Sequence, residues 1–463
     1  MKQTIGIIGA GLGGLTIASL LTHQGYKVTI FEKEADVGGR ALSFNGSTLT
    51  KPQYHHYLQS FEMAVPFAYP SIDTIFSEQL LQGFTFDLGF HVIGGGVVSN
   101  LHELFDVLHQ PHIDMMETRL AHITNTGYNY PFLSRTDKIK MAPRIIRLLS
   151  AGDKTMNKLD VTSMTKTIQR YGRGKMKLTL ELFSRVITTV NNLDYISTGE
   201  TFRAQRNLLA GSKAVGYPKN GLHQINQTLA HYITSHGGSI QTQQPVTHIH
   251  IENGKAQSIS TKEHEYFFDA VISNVPVQQL FTLADEQQFP TDYVNNIKNL
   301  KATGSLCAYY AVSKIPDELI GKTFLFLAKD LGVDGTDAAG MIDCMISSPT
   351  AQMAPEPYHL IQAYIICTPQ EAKDHMILKR LKEALDAQLS HLIPEYEKQL
   401  LWSLYPAVWH LDGVAKTIDN IKPDSVTPIQ QLYLVGDCTK APGIGINCAL
   451  NSARHLYDHL TQQ

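Results

Sequence analysis

The sequence predicts an α/β chain: a doubly wound parallel-sheet domain built from both ends of the polypeptide, with an α+β domain carrying a mainly antiparallel sheet inserted between them. Three observations point there. The opening reads strand, glycine turn, helix, strand, which is the first half of a doubly wound sheet. The closing segment returns to a strand, a glycine turn and a last helix. Between them, residues 300–370 alternate apolar and polar side chains at the two-residue period of half-buried strands.

Taken in order, Thr4–Ile8 is a short apolar strand, Gly9–Gly14 a glycine turn, and Leu15–His23 a helix that Gly25 ends; Lys27–Phe31 is a second strand closing at Glu32. Residues 42–79 are irregular and aromatic. Their tyrosines and phenylalanines form either a small satellite core or a lid or wall of a substrate cavity, since Leu42–Gly83 is too long for an ordinary connection. Phe84–His91 is strand-like, and residues 100–210 read as mostly helical. After Gly216–Gly221 come the helix Leu222–Ser235 and strands at Ser239–Gln243, Val246–Ile251 and Asp269–Ile272. A helix over Gln370–Ile393, a strand over Gln431–Val435 and a helix from Ile446 to Leu460 complete the chain. The implied division is 1–100, 216–280 and 426–463 for the doubly wound domain, 101–215 for a helical substrate region, and 281–425 for the substrate domain.

Composition bounds the function. The 463 residues allow about two to three domains. Hydrophobic residues at 43% and charged residues at 17% are an ordinary globular balance, and a net charge of -3 gives no reason to expect nucleic acid. The five cysteines are scattered with no C-x-x-C pair, which suits a reducing compartment and predicts no metal site. The apolar opening is broken by glycines and runs into a matching second strand, so it reads as fold rather than signal peptide. No run reaches the roughly 18 apolar residues of a membrane span. The expected location is the cytoplasm. Arg135–Arg147 is read as a solvated helix face interrupted at Pro143, with peripheral contact to anionic lipid as its second reading.

Gly9-Ala-Gly-Leu-Gly-Gly14 fits G-x-G-x-x-G between a strand and a helix. In such a Rossmann-like unit Gly9 permits the tight turn, Gly11 lets backbone approach a pyrophosphate, and Gly14 allows close helix–strand contact. The helix start then offers free N–H groups and partial positive charge. Glu32, ending the next strand, is placed to accept both hydroxyls of an adenosine ribose. No second strand-flanked G-x-G-x-x-G occurs, which argues against a separate NAD(P)H domain.

Glu32 through Gly38-Gly39-Arg40 is an E-x(5)-G-G-R run, and it resembles the flavin amine oxidase, protoporphyrinogen oxidase and carotenoid desaturase group. The resemblance recurs in Phe86–His91 (D-x-G), in Gly216–Gly221 (Y-P-x-G-G, with Asn220 for the first glycine), in Pro245–Ile249, in Val271–Pro276 (I-S-N-x-P) and in Tyr433–Ala453. It implies FAD as cofactor. Gly39 and Arg40 would pass close to the pyrophosphate, and the Val246 backbone would meet the adenine. Asp437, after Gly436, would approach the ribityl chain or pyrophosphate. Gly445 and Ile446 would start a helix facing the flavin N1–C2=O edge. Asn451-Ser452 replaces the usual S-G.

Gly39–Ala41, Gly83–Gly89 and the P-G-x-G block are most similar to the phytoene desaturase and carotenoid isomerase branch. This implies chemistry at C–C bonds of an apolar isoprenoid- or lipid-like substrate, with quinone or oxygen as electron acceptor. An amine- or porphyrinogen-oxidase-like enzyme using oxygen is the alternative, and a non-catalytic FAD-binding partner protein is a third. His91 is the candidate catalytic side chain, with a packing histidine as its plain reading. The lysine that amine oxidases often carry near flavin N5 has two candidates here, Lys301 and Lys322, neither in a matching motif.

Overall fold

The computed structural model describes residues 3–150, 152–210, 215–335 and 337–462. Thr4–Ile8 is apolar because both its faces are covered, and it pairs in parallel with Lys27–Phe31 on one side and Ala270–Ser273 on the other. Ser239–Gln241 and Leu432–Leu434 complete a five-stranded, all-parallel sheet. Numbered along the chain, its strands lie in the order third, second, first, fourth, fifth, which is the doubly wound arrangement. The direction of winding reverses between Thr4–Ile8 and Ala270–Ser273, where ligands of such sheets bind beyond the carboxyl ends of the strands. The helix Leu12–His23 is buried along almost its whole length, packed on Gly445–Thr461 and His223–Ser235, which is why it is apolar on all sides.

The second layer is an eight-stranded sheet ordered Met63–Tyr69, Leu400–Val408, Gly304–Val312, His359–Cys367, Ala338–Asp343, Thr323–Ala328, Leu120–Thr124, Gly127–Asn129. All neighbours are antiparallel except Thr323–Ala328 with Leu120–Thr124. The expected alternation of exposed and buried faces does not hold in its centre, because every residue of Gly304–Val312 is buried. Leu306, Ala308 and Tyr310 face the helix His375–Leu392, which presents Leu378, Leu381, Leu385 and Leu389 at helical spacing; Cys307, Tyr309 and Ala311 join the core shared with the parallel-sheet domain. A strand buried on both faces reads as a continuous apolar run.

Residues 100–210 are mostly helical, as expected, with Met115–Thr118, Leu120–Thr124 and Gly127–Asn129 added as strands placed by pairing with distant segments. Two expectations are corrected. The aromatic stretch after Leu42 is no satellite, since Tyr54 and Tyr57 pack on Phe44 within the main core, and Met63–Tyr69 becomes an edge strand of the large sheet. Pro143 does not interrupt its helix, which runs from Arg135 to Leu149. The carbonyl of Ile139, four residues earlier, belongs to an exposed residue and is free to be solvated.

Candidate active site

Where the carboxyl ends of the parallel strands meet the large sheet, a cavity of about 400 Å³ opens. Eleven of the twelve expected residues line it: Gly9, Gly11, Glu32, Gly39, Arg40, His91, Val246, Gly436, Asp437, Gly445 and Ile446. Gly14 does not. A Cβ there would lie 2.1 Å from the Gly9 carbonyl oxygen, so this glycine holds the helix against the turn from behind. Gly9 itself has φ of 95°, a conformation that favours glycine.

The turn is tied from two directions. Gly38 N–H donates to the Ala10 carbonyl at 2.8 Å, bringing the Gly-Gly-Arg run alongside the first glycine turn. Asn274, at the switch point, takes the other side. In the amide orientation that satisfies its neighbours, it accepts from Gly11 N–H and Gly14 N–H and donates to the Val435 carbonyl, each at 3.2 Å. One side chain thus joins the N-terminal turn to the C-terminal strand. Nothing in the spacing singled Asn274 out, although its I-S-N-x-P segment was visible.

Glu32 accepts from Ala10 N–H at 2.7 Å and Glu34 N–H at 2.9 Å. Burial pushes its carboxyl up, while those two backbone donors oppose the shift. Arg40 and Asp437 are a pair: the guanidinium donates to Asp437 Oδ1 at 2.6 Å and to the His410 carbonyl at 2.8 Å. Gly413 N–H takes the second Asp437 oxygen at 2.9 Å. Burial alone would raise Asp437; the Arg40 charge, the Gly413 donor and Lys422 outweigh it and hold the carboxyl below its ordinary value. Val246 lines the cavity from the connection before the strand His248–Glu252, rather than from a strand starting at Val246.

His91 follows the Thr85–Asp87 strand. Its Nδ1 lies 3.2 Å from the Gly89 carbonyl and 3.6 Å from Asp87 Oδ2, and Asp87 also accepts from Tyr217 at 2.6 Å and Ser43 at 2.5 Å. Lys301 is bound to Asp419 at 2.8 Å on the surface, Lys322 lies over the Tyr130 ring, and neither lines the cavity. Asn220 adopts φ of 63°, the left-handed form a glycine would take at that turn position. Ser452 replaces the expected glycine by accepting from Gly436 N–H at 3.1 Å and bonding the Thr439 hydroxyl at 2.6 Å.

Sequence reasoning missed Glu62 and His410, which bond at 2.7 Å on the cavity wall, Asp412, which forms a buried ion pair with Lys416, and Asn447 and Tyr364. Asn447 lies in the closing Tyr433–Ala453 block, and the others come from segments with no motif of their own. Among the described residues no group of three His, Cys, Asp or Glu side chains is placed to hold a metal, and no helix is long and apolar enough to cross a membrane.

A doubly wound domain whose glycine turns and acidic strand end open on a cavity roofed by a large second sheet defines a dinucleotide-dependent oxidoreductase. Residues 12–455 match the family of flavin containing amine oxidoreductases, and the chain belongs to that family; its cofactor is FAD. Among its relatives are a 1-hydroxycarotenoid 3,4-desaturase of Flavobacterium sp. (strain P99-3) and a 4,4'-diapophytoene desaturase (4,4'-diapolycopene-forming) of Methylomonas sp. The first is 23% identical over 70% of this chain and 67% of the relative, the second 23% identical over 60% of this chain and 54% of the relative. They support the resemblance to the phytoene desaturase-like branch. An oxidoreductase from Methanosarcina mazei shares the fold with a TM-score of 0.72 at 20% identity, covering 98% of this chain and 100% of that one.

Proposed function

We propose that the protein desaturates, saturates or isomerises C–C bonds of a long apolar isoprenoid- or lipid-like molecule, by hydride transfer with flavin N5. One observation carries this reading. The cavity wall continues from the nucleotide-type segments into a section made of Phe90, Val92, Leu120, Phe183, Val186 and Met341. All charged lining residues (Glu32, Lys33, Arg40, Glu62, Asp412, Asp437) come from the other section. An ammonium substrate in the apolar section would be buried without a counter-charge, whereas a hydrocarbon chain gains by leaving water there. The two desaturases named above act, by their names, on carotenoid-type molecules, which agrees with this choice.

The residues fit FAD. Glu32 keeps acceptor capacity toward the cavity after its two backbone bonds, and a Cβ at Gly445 would meet no protein atom within 4 Å, leaving room for a flat ring against the helix start. Asp412 and Asn447 also line the cavity, and the Oδ1 of each has no partner among the described residues. Glu32 would hold the ribose, the Gly9–Gly14 turn and Gly39 the pyrophosphate, and the Val246 backbone the adenine; Gly445 and Ile446 would offer N–H groups to the ring edge. Arg40 is fixed by Asp437 and adds positive charge beside the phosphates. The flavin supplies hydride and single-electron chemistry. The apolar wall orients the chain and excludes water, and His91, held through Nδ1, would present Nε2 to the cavity.

The Arg135–Leu149 helix exposes Ile139 and Ile146 beside Lys138, Lys140 and Arg147, a surface suited to drawing such a substrate from an anionic bilayer.

Anaerobic addition of an isoprenoid polyene or its saturated counterpart to oxidised or reduced holoprotein tests the reading. A change in the visible flavin band with one of them is the expected result. Bleaching by amines alone, with peroxide formed on admitting air, would overturn it. His91→Ala should keep FAD and slow turnover; unchanged turnover would leave His91 a packing residue.

A further inference from the structure

The strand His359–Cys367 has two faces. Ala363 and Ile365 join the core under the helix His375–Leu392, while Tyr364 joins the opposite core and lines the cavity. Gln362, two residues earlier, projects on the same side as Tyr364. The Phe90–His91 segment lies across that side and is fastened twice. The Phe90 ring packs on the Tyr364 ring with centroids 4.5 Å apart. Gln362 donates to the His91 carbonyl at 2.9 Å and accepts from His91 N–H at 3.4 Å. Gln362 is itself held, donating to Asp343 Oδ2 at 2.8 Å, and Asp343 is fixed in turn by Thr323 at 2.6 Å. The Tyr364 ring therefore stands in a rigid frame.

Its hydroxyl lacks a partner, as do those of Tyr54 and Tyr293 among the described residues, and of these three Tyr364 is the one that lines the cavity. Tyr217, Tyr309, Tyr310 and Tyr405, equally buried, each donate to a carboxylate or carbonyl. Tyr364 is 3% exposed, yet its hydroxyl has no hydrogen-bond partner among the described residues and is not one of the unpartnered groups sealed inside protein. It opens on the cavity, within the apolar section. Phenylalanine would pack there equally well without the cost of desolvating an unpaired hydroxyl.

We propose that the Tyr364 hydroxyl is a specificity-determining group that selects an apolar chain bearing one oxygen function, an alcohol or a carbonyl, over the bare hydrocarbon. This rests on the apolar-substrate reading above and narrows it. The hydroxyl donates to, or accepts from, that oxygen, and the frame through Gln362 and Phe90 fixes where along the chain the oxygen sits.

The test uses FAD-loaded protein and two probes, geranylgeraniol and the hydrocarbon of the same carbon skeleton lacking the hydroxyl, with binding read as perturbation of the flavin spectrum. Wild type should bind the alcohol about tenfold more tightly. Tyr364→Phe, checked for retained FAD, should lose that preference by weakening alcohol binding about tenfold while leaving the hydrocarbon unchanged. Equal binding of both probes by wild type would overturn the assignment and spare the apolar-substrate reading; this comparison needs no variant. Preference surviving in Tyr364→Phe, or equal losses for both probes, would also overturn it by making the tyrosine a packing residue. Failure of both probes to bind would sink the assignment together with the reading beneath it.

Discussion

The two sections of the cavity wall are built on different principles. The nucleotide-type section is made largely of main chain: glycine turns at Gly9–Gly14 and Gly38–Gly39, a helix start at Gly445, and a few side chains (Glu32, Arg40, Asn274, Asp437) that hold those turns together. The apolar section is made of side chains alone, drawn from the helix Lys175–Thr188, the strands Leu120–Thr124, Ala338–Asp343 and His359–Cys367, and the Phe90–Val92 segment. The first kind of wall tolerates almost no change in any one residue, because backbone cannot step aside. The second can exchange one apolar group for another and so change substrate without touching the cofactor.

The largest effect should come from breaking the main-chain section. Gly14→Val would push carbon into the Gly9 carbonyl, and the helix Leu12–His23 would have to leave its strand, at a cost of about 3 kcal/mol or more. The purified variant should be colourless and unfold at a lower temperature; a yellow protein of wild-type stability would deny that this wall is rigid. Arg40→Leu strands the Asp437 carboxylate, whose side chain is 9% exposed, and should lower stability by about 3 kcal/mol in urea titration.

A comparable effect should appear in the frame behind the apolar section, through pH. Burial pushes Asp343 up to about 6 from an ordinary 3.8, against the opposing bonds from Gln362, Thr323 and Met345 N–H. Between those values the folded chain keeps a proton that the unfolded chain has released. The stabilisation is full below about pH 4 and is lost as pH rises through about 6. The stability of wild type relative to Asp343→Asn should fall by about 3 kcal/mol from pH 4 to pH 7, at about 1.4 kcal/mol per pH unit. A difference that stays level across that window would contradict the raised value. The smallest effect is expected at the exchangeable wall. Val186→Phe should fill part of the apolar section and weaken geranylgeraniol binding about tenfold, or about 1.4 kcal/mol, with FAD content unchanged.

The same contrast explains what was legible in the sequence. Gly9 through Arg40 encode their geometry within a single contiguous stretch, so turn, helix and acidic strand end could be placed before any coordinates. Gly436–Ile446 repeats this at the other terminus. Tyr364, Met341 and Val186 meet only because strands and a helix distant in sequence pack together, and each looks locally like any core residue. The strands within Met115–Asn129 gave no signal of their own for a related reason: they exist by pairing with Val215–Pro218 and Thr323–Ala328, which no local window contains. Glu62 and His410, 348 residues apart, gave no signal until the fold joined them.

A crystal structure of the FAD-loaded protein measures the central claim most directly. The account predicts adenosine density beside Glu32 and Val246, with the isoalloxazine ring between the Gly445–Ile446 helix start and the Phe90–His91 segment, one face turned to the apolar section. A nucleotide running the opposite way, or a ring lying outside the cavity, would contradict it.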